Sequence, residues 1–291
     1  TAADFGLSSN GTAEAKSYFA SDLCVSEDVA IGTDSTDSQV AEGAGTFNLE
    51  TNTVVYAKNL YERLYPASTT KILTAYIALK YCDDLDAMVT VSENAVNQAS
   101  DSSVCNLKAG DVIRLRDLLY GLMLRSGNDA AVAIAEYISG DVDSFAALMN
   151  QEAAAMGATR SHFVNPNGLP DENHYTCVYD MYLIFSNAIK NDTFVSIIGT
   201  TSYDVTYTDA SGEAVTHTWE NTNQYLTGNA TTPDGFQIVG GKTGTTGEAG
   251  YCLVLYSYNP SGQPIISIVF KADGKSNLYL LMNEMLQGFA I

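Results

Sequence analysis

The chain has 291 residues, 46% of them apolar, and a net charge of −20 from 34 acidic and 14 basic side chains. A chain of this length forms one large domain or two small ones and buries about three quarters of its unfolded surface. The charge makes nucleic acid and anionic membranes poor partners, and no apolar run reaches the ~18 residues a membrane span requires.

Residues 1–43 are rich in Ala, Ser, Thr, Asp and Gly. They carry no clear core pattern, and Ala13–Phe19 is expected as a short helix. Thr1 opens no signal peptide, as in a chain trimmed to its mature form. Gly45–Leu49 and Val54–Lys58 are predicted strands of a hairpin around the polar Glu50–Thr53 turn. Pro66-Ala67-Ser68 opens a helix through about Tyr81, with apolar positions at Ile72, Leu73, Tyr76, Ile77 and Leu79. Residues 82–112 read as loops with a short helix near Glu93. Leu115–Leu124 is predicted helical and breaks at Arg125-Ser126-Gly127-Asn128. Helices follow over Asp129–Ile138 and over Val142–Met156, the latter stopping at Gly157. Asn165–Pro170 is a turn-rich loop, and Val178–Lys190 is helical again.

Beyond that point the pattern becomes β-rich. Ser202–Tyr207 and Ala214–Trp219 alternate as a hairpin. Phe236–Thr243, Tyr251–Tyr258 and Pro264–Lys271 are predicted strands, with Gly-rich turns at Gly244–Gly250 and Asn259–Gln263. Asn277–Gln287 closes as a helix. Strands at both ends and helices between them predict an α/β (α+β) fold: an antiparallel sheet built from both termini, flanked by helices, with a helical insertion. Five scattered cysteines show neither CxxC pairs nor metal-ligand spacing. They are expected as buried free thiols, a Cys82–Cys105 bridge being the alternative.

Three short strings stand in order on these elements: Ser68-Thr69-Thr70-Lys71, Ser126-Gly127-Asn128 and Lys242-Thr243-Gly244. The i, i+3 spacing puts Ser68 and Lys71 on one helix face. For an isolated pair the plainer reading is a helix cap and a solvated lysine, and composition gives roughly one S-x-x-K per chain of this length. Lys71, however, faces the positive end of the helix dipole, a placement unfavourable by about 0.3–1 kcal/mol. Keeping a lysine neutral at pH 7 costs about 4–5 kcal/mol, which burial and a second cation, with Lys242 the candidate, could supply. A neutral Lys71 then accepts the Ser68 proton, the activation a serine nucleophile requires. S-x-N also occurs at Ser8 and Ser92, so Ser126 and Asn128 gain their weight from the break between two apolar helices; capping the second helix is the alternative. Lys242-Thr243-Gly244-Thr245 occurs once, against a chance expectation on the order of a tenth. On an edge strand it could pair with an extended peptide, with Gly244 allowing close approach. The alternative is an exposed lysine on a polar edge. His162, His174 and His217 stand without a G-x-S-x-G elbow. Zinc-hydrolase motifs are missing, and a phosphate loop ending at Lys242 would need glycine where the chain has Phe236.

With these strings the chain resembles the serine-type D-Ala-D-Ala carboxypeptidases, the low-molecular-mass penicillin-binding proteins. The resemblance runs from about Thr46 to Phe289. It includes Tyr65–Lys71 (YPASTTK), Leu118–Glu136 (LLYGLMLRSGNDAAVAIAE), His162–Pro170 (HFVNPNGLP), His174-Tyr175 and Gly247–Tyr251 (GEAGY). It implies a β-lactamase/transpeptidase-like catalytic domain over residues 44–291. It further implies Ser68 as nucleophile, Lys71 as base, Ser126 as proton relay, Asn128 as a partner of substrate or Lys71, and Lys242 as holder of Ser126. Thr243, Gly244 and Thr245 would bind substrate, and the N–H groups of Ser68 and Thr245 would form an oxyanion hole. The implied substrate is a peptidoglycan stem peptide ending in D-Ala-D-Ala, handled outside the cytoplasm in a cell-wall and cell-shape role. β-Lactams would be covalent inhibitors, and no cofactor is implied. The chain departs from the family in two places. Asn221-Thr222-Asn223 stands where Asn-Arg-Asn is frequent, so a carboxylate-gripping arginine is missing, and Thr176-Cys177 replaces a Ser/Thr pair. Neither the second β-rich domain of many members nor their C-terminal amphipathic anchor is expected within these residues. A β-lactamase is a competing reading, disfavoured because Glu172 is not followed by an E-x-x-N pattern. A non-catalytic sensor on the same fold is another, disfavoured because every catalytic residue type is present.

Overall fold

The computed structural model describes residues 21–291, so the helix expected over Ala13–Phe19 lies outside the described residues. In chain order the elements begin with β1 (Ala41–Asn48), β2 (Thr53–Lys58), α1 (Lys71–Tyr81), β3 (Met88–Thr90), α2 (Glu93–Val96), β4 (Val112–Arg114) and α3 (Leu115–Tyr120). Then come α4 (Asn128–Ser139), α5 (Val142–Ala155), α6 (Val178–Ala188) and α7 (Asp192–Ile198). The chain ends with β5 (Ser202–Thr208), β6 (Ala214–Glu220), β7 (Gln237–Thr246), β8 (Gly250–Tyr258), β9 (Pro264–Ala272) and α8 (Lys275–Phe289).

The main sheet has the order β2-β1-β9-β8-β7, antiparallel throughout. It is built from both ends of the chain, as the sequence predicts. Alternation along its central strands sorts side chains between two cores. From β9, Ile266, Ile268 and Phe270 join α1, α4 and α6 on one face. Ile265 and Val269 meet Leu278, Leu281, Met282 and Met285 of α8 on the other. Because both faces are covered, β8 and β9 read as nearly unbroken apolar runs. Each such side chain contributes about 1.5–3 kcal/mol when fully buried.

A second sheet, β3-β4-β5-β6, extends the expected β5–β6 hairpin. Its strands β3 and β4 span three residues each, too few to show a period. The short α7 is likewise absent from the sequence reading; its signal is Asn191, whose side chain accepts the Phe194 N–H as an N-cap. At β7 the strand continues past the expected turn, pairing Gly244 with Cys252 and Thr246 with Gly250. The third motif therefore lies inside an edge strand rather than at its end. All five cysteines are free thiols, four buried and Cys82 partly so, as the sequence reading expects.

Candidate active site

Ser68 stands on a tight 3-10 turn, Ala67–Thr70, that leads into α1. The α-helix proper begins at Lys71, five residues after the Pro66 at which the sequence opens it. Ala67 has φ of +47°, a left-handed conformation that costs a β-carbon residue on the order of 1 kcal/mol and turns the chain sharply before Ser68. Among the described residues the Ser68 N–H has no acceptor; the first bonded donor of the turn is Thr69, to Pro66 O.

Lys71 is fully buried. Its Nζ lies 3.0 Å from Ser68 Oγ, 2.7 Å from Asn128 Oδ1 and 2.7 Å from the carbonyl oxygen of Asn167. Two of these partners can only accept hydrogen bonds, whereas the Ser68 hydroxyl can also donate. A neutral amine therefore gives its two N–H groups to Asn128 and Asn167 and turns its lone pair to the serine. Burial pushes the Lys71 ammonium well below its ordinary pKa, and the nearby Lys242 cation adds to the push. Burial likewise brings Lys242 down to about 7.

Ser126 is placed by an irregular helix ending. After α3 one wide π-type turn, Gly121–Arg125, ends at Ser126 with φ of +61°. The Gly127 N–H closes back on Gly121 O. The hydroxyl of Ser126 accepts from Lys242 Nζ at 3.0 Å, and Lys242 also donates to Thr243 O at 2.8 Å. Asn128 opens α4, and its N–H donates to Ser103 O at 2.8 Å. The neighbouring Asp129 accepts from the N–H groups of Cys105, Leu107 and Ala130 at 2.8–3.1 Å, tying the 103–107 segment to the motif.

β7 runs close against the nucleophile turn. A β-carbon on Gly244 would sit 2.9 Å from the Ser68 nitrogen, so only glycine fits without displacement. Thr243 shares a hydroxyl–hydroxyl hydrogen bond with Thr222, the residue at the arginine position of the family. Two cavities meet at Ser68, Ser103 and Thr245. One, of about 400 Å3, is also lined by Asp101, Asn128, Asn167–Pro170 and Glu248. The other, of about 220 Å3, is lined by Ser126, Thr222, Thr243, Gly244 and Lys275. Thus Ser68, Lys71, Ser126, Asn128, Lys242, Thr243, Gly244 and Thr245 all come together.

Several further contributors had no role assigned to them from the sequence. The Asn167 carbonyl holds Lys71, and the Pro166 carbonyl accepts from Thr74 at 2.7 Å. His174 joins Thr70 Oγ1 through Nε2 at 2.8 Å and accepts the Val164 N–H at Nδ1, which puts the ring proton on Nε2. Burial holds His174 at about 4. Lys275, at the start of α8, brings a cation to the smaller cavity. The turn-rich Asn165–Pro170 string marks the first of these loops, but a backbone carbonyl carries no residue-type signature. Among the described residues no His, Cys, Asp and Glu group is arranged to hold a metal.

A family model described as D-alanyl-D-alanine carboxypeptidase matches residues 32–274. The D-alanyl-D-alanine carboxypeptidase DacF of Bacillus subtilis is 34% identical over 251 residues, 84% of this chain and 61% of that protein. The chain thus spans less than two thirds of that relative. The D-alanyl-D-alanine carboxypeptidase of Streptomyces sp. strain K15 is 34% identical over 265 residues, covering 86% of this chain and 88% of that one. A solved variant of the Streptomyces K15 DD-transpeptidase superposes with a TM-score of 0.80 at 33% identity, covering 87% and 98% of the two chains. DacD from Francisella tularensis gives 0.75 at 28% identity, covering 91% of this chain and 72% of that one. The expected mixed α/β fold with flanking helices is shared with these neighbours.

Proposed function

Because the chain belongs to the D-alanyl-D-alanine carboxypeptidase family, we propose that it removes the terminal D-Ala from peptidoglycan stem peptides through an acyl-enzyme on Ser68. The observation that carries this reading is the buried Lys71 amine, 3.0 Å from the Ser68 hydroxyl with its other hydrogens committed to fixed acceptors. Ser68 Oγ attacks the carbonyl carbon of the penultimate D-Ala, and its proton passes to Lys71 Nζ. The oxyanion that forms is met by the N–H groups of Ser68 and Thr245. Collapse breaks the C–N bond, and the leaving D-Ala amine takes a proton through Ser126, which Lys242 holds in place. Water then attacks the ester carbonyl, adding its hydroxyl to the acyl carbon and its proton to the departing Ser68 oxygen. The substrate carboxylate lies at Thr243 with Gly244 beneath it. Lys275 supplies positive charge in the cavity where Thr222 replaces an arginine.

We assign the catalytic domain to residues 44–291. Residues 21–40 lean on it, the buried Cys24 donating its N–H to the Tyr182 hydroxyl and Ile31 pairing with Ala57, while residues 41–43 already belong to β1. Peptidoglycan lies outside the cytoplasm, so the proposed work is extracytoplasmic; among the described residues no helix is long and apolar enough to cross a membrane. A β-lactam mimics the D-Ala-D-Ala end of the peptide and is expected to acylate Ser68. The β-lactamase reading is weaker because Glu172 is exposed and lines neither cavity at Ser68. The test is labelling with a fluorescent penicillin together with D-Ala release from a D-Ala-D-Ala peptide. A stable adduct and D-Ala release are expected, both lost in Ser68→Ala. Labelling that survives the substitution moves the nucleophile elsewhere, and rapid turnover of a chromogenic cephalosporin would restore the β-lactamase reading.

A further inference from the structure

The loop that holds Lys71 contains an Asn-Gly pair, Asn167–Gly168, and the geometry of the site pins both residues. Gly168 has φ of +90°, and a β-carbon on it would lie 1.8 Å from the Ala67 carbonyl oxygen, so no other residue can follow Asn167 without displacing the nucleophile turn. Asn167 is 4% exposed. Both of its carbonyl oxygens are engaged: the main-chain oxygen accepts from Lys71 Nζ at 2.7 Å, and Oδ1 accepts the Leu169 N–H at 3.1 Å. The Gly168 N–H itself donates to Asn165 Oδ1 at 2.8 Å. Both residues of the pair line the larger cavity beside Ser68, which at about 400 Å3 is wide enough to hold water.

An asparagine followed by glycine is prone to lose its side-chain amide, because no β-carbon on the next residue hinders attack by that residue's nitrogen. We propose that Asn167–Gly168 is a self-modification site: when the loop opens, the Gly168 nitrogen closes on the Asn167 side chain, and reopening at the main-chain carbonyl retires the active site. In the first step Gly168 N bonds to Asn167 Cγ, the Cγ–Nδ2 bond breaks, and ammonia leaves with the proton that Gly168 N gives up. Water then opens the resulting succinimide at either carbonyl. Attack at Cγ gives aspartate in an unchanged backbone. Attack at the main-chain carbon breaks its bond to Gly168 N and gives isoaspartate. The backbone then runs through Cβ and Cγ, and the carbonyl that held Lys71 has become a free carboxylate. A negative charge replaces the neutral acceptor at Lys71 Nζ, which favours the ammonium form and removes the base. The folded loop resists this closure. Ring formation brings both Asn167 carbonyls into one plane around Gly168 N and takes the proton that Asn165 accepts, so the bonds to Lys71, Leu169 and Asn165 must yield first. The chemistry of the pair is independent of the proposed function; its effect on activity rests on Lys71 as the base.

The test ages the protein at mildly alkaline pH, folded in buffer and unfolded in urea, and maps its peptides by mass spectrometry, with isoaspartate and aspartate separated by chromatography. The reading is taken at Asn167 because Asn10–Gly11 is a second Asn-Gly pair. Conversion at Asn167 is expected to be at least about tenfold slower in the folded protein, since closure waits for local opening. Equal rates, or no conversion in urea, overturn the proposal. Folded protein aged in urea below its unfolding midpoint is then returned to buffer and labelled with a fluorescent penicillin. The unlabelled fraction is expected to match the isoaspartyl fraction, and full labelling of isoaspartyl protein overturns the proposal. Asn167→Gln, whose longer side chain closes a larger ring far more slowly, should lose no labelling beyond its own starting level over the same ageing; a decline equal to that of the parent protein also overturns it. Fresh protein that binds no penicillin overturns the carboxypeptidase reading, while the peptide map still decides whether the site converts.

Discussion

A lysine of ordinary pKa stays protonated at neutral pH, so the proposed base Lys71 owes its chemistry to its surroundings. From the sequence, burial and the Lys242 cation together are the expected agents of that shift. In the structure burial is the larger cause and Lys242 the second. The buried His174 beside the motif gives a pH test. Its ordinary value is 6.5 and burial holds it at about 4, so the unfolded chain binds a proton where the folded one does not. The stability associated with a neutral His174 is fully present above pH 6.5 and is lost as pH falls through about 4, a loss on the order of 3 kcal/mol. Urea midpoints across that range should fall more steeply for the unmodified protein than for His174→Asn; parallel curves would refute the coupling. Residue types made the motif serines and lysines legible. The Asn167 carbonyl and the His174 contact to Thr70 were not, because they depend on how separate loops meet.

The long strands and helices were legible because they repeat their pattern over enough residues to show a period. The short β3, β4 and α7 do not, and they exist because neighbours complete their hydrogen bonds. Two local elements place the site: the π-type turn that delivers Ser126, and the Asn165–Pro170 loop that presses on the nucleophile turn. Gly168 in that loop has φ of +90°, and a β-carbon there would lie 1.8 Å from the Ala67 carbonyl oxygen. Gly168→Ala is expected to destabilise by about 2 kcal/mol or more. It should also slow penicillin acylation at least about tenfold, a ~1.4 kcal/mol rise in the barrier, because relieving the contact moves Ala67 and Ser68. Gly140 is the control, with φ of +86° and no atom within 4 Å of the place its β-carbon would take. Gly140→Ala should cost stability alone. Equal acylation rates in the two variants would show that the loop does not set the nucleophile.

At the scale of the whole molecule, the sheet lies between α8 on one face and the helical insertion on the other, with the cleft where the β7 edge meets the insertion. The apolar interior also takes up four of the five thiols, leaving Cys82 partly exposed at the end of α1. Burial and Asp83 raise its pKa, so it reacts slowly. A thiol reagent should therefore modify one cysteine in the native protein, at Cys82, and all five after denaturation. Fewer than five in denaturant would reveal a bridge.

The pairing of β1 with β9 joins parts of the chain that are far apart; the buried Thr46 and Ser267 hydroxyls that meet there are 221 positions apart. Ser126 likewise waits 116 positions for Lys242. During synthesis the nucleophile turn is made early, but the edge strand beside it comes late and the β9 strand that anchors the sheet later still. A nascent chain that carries only the first two motifs still lacks Lys242 and the strands that complete the sheet, so the candidate site is assembled only after those last strands have been made.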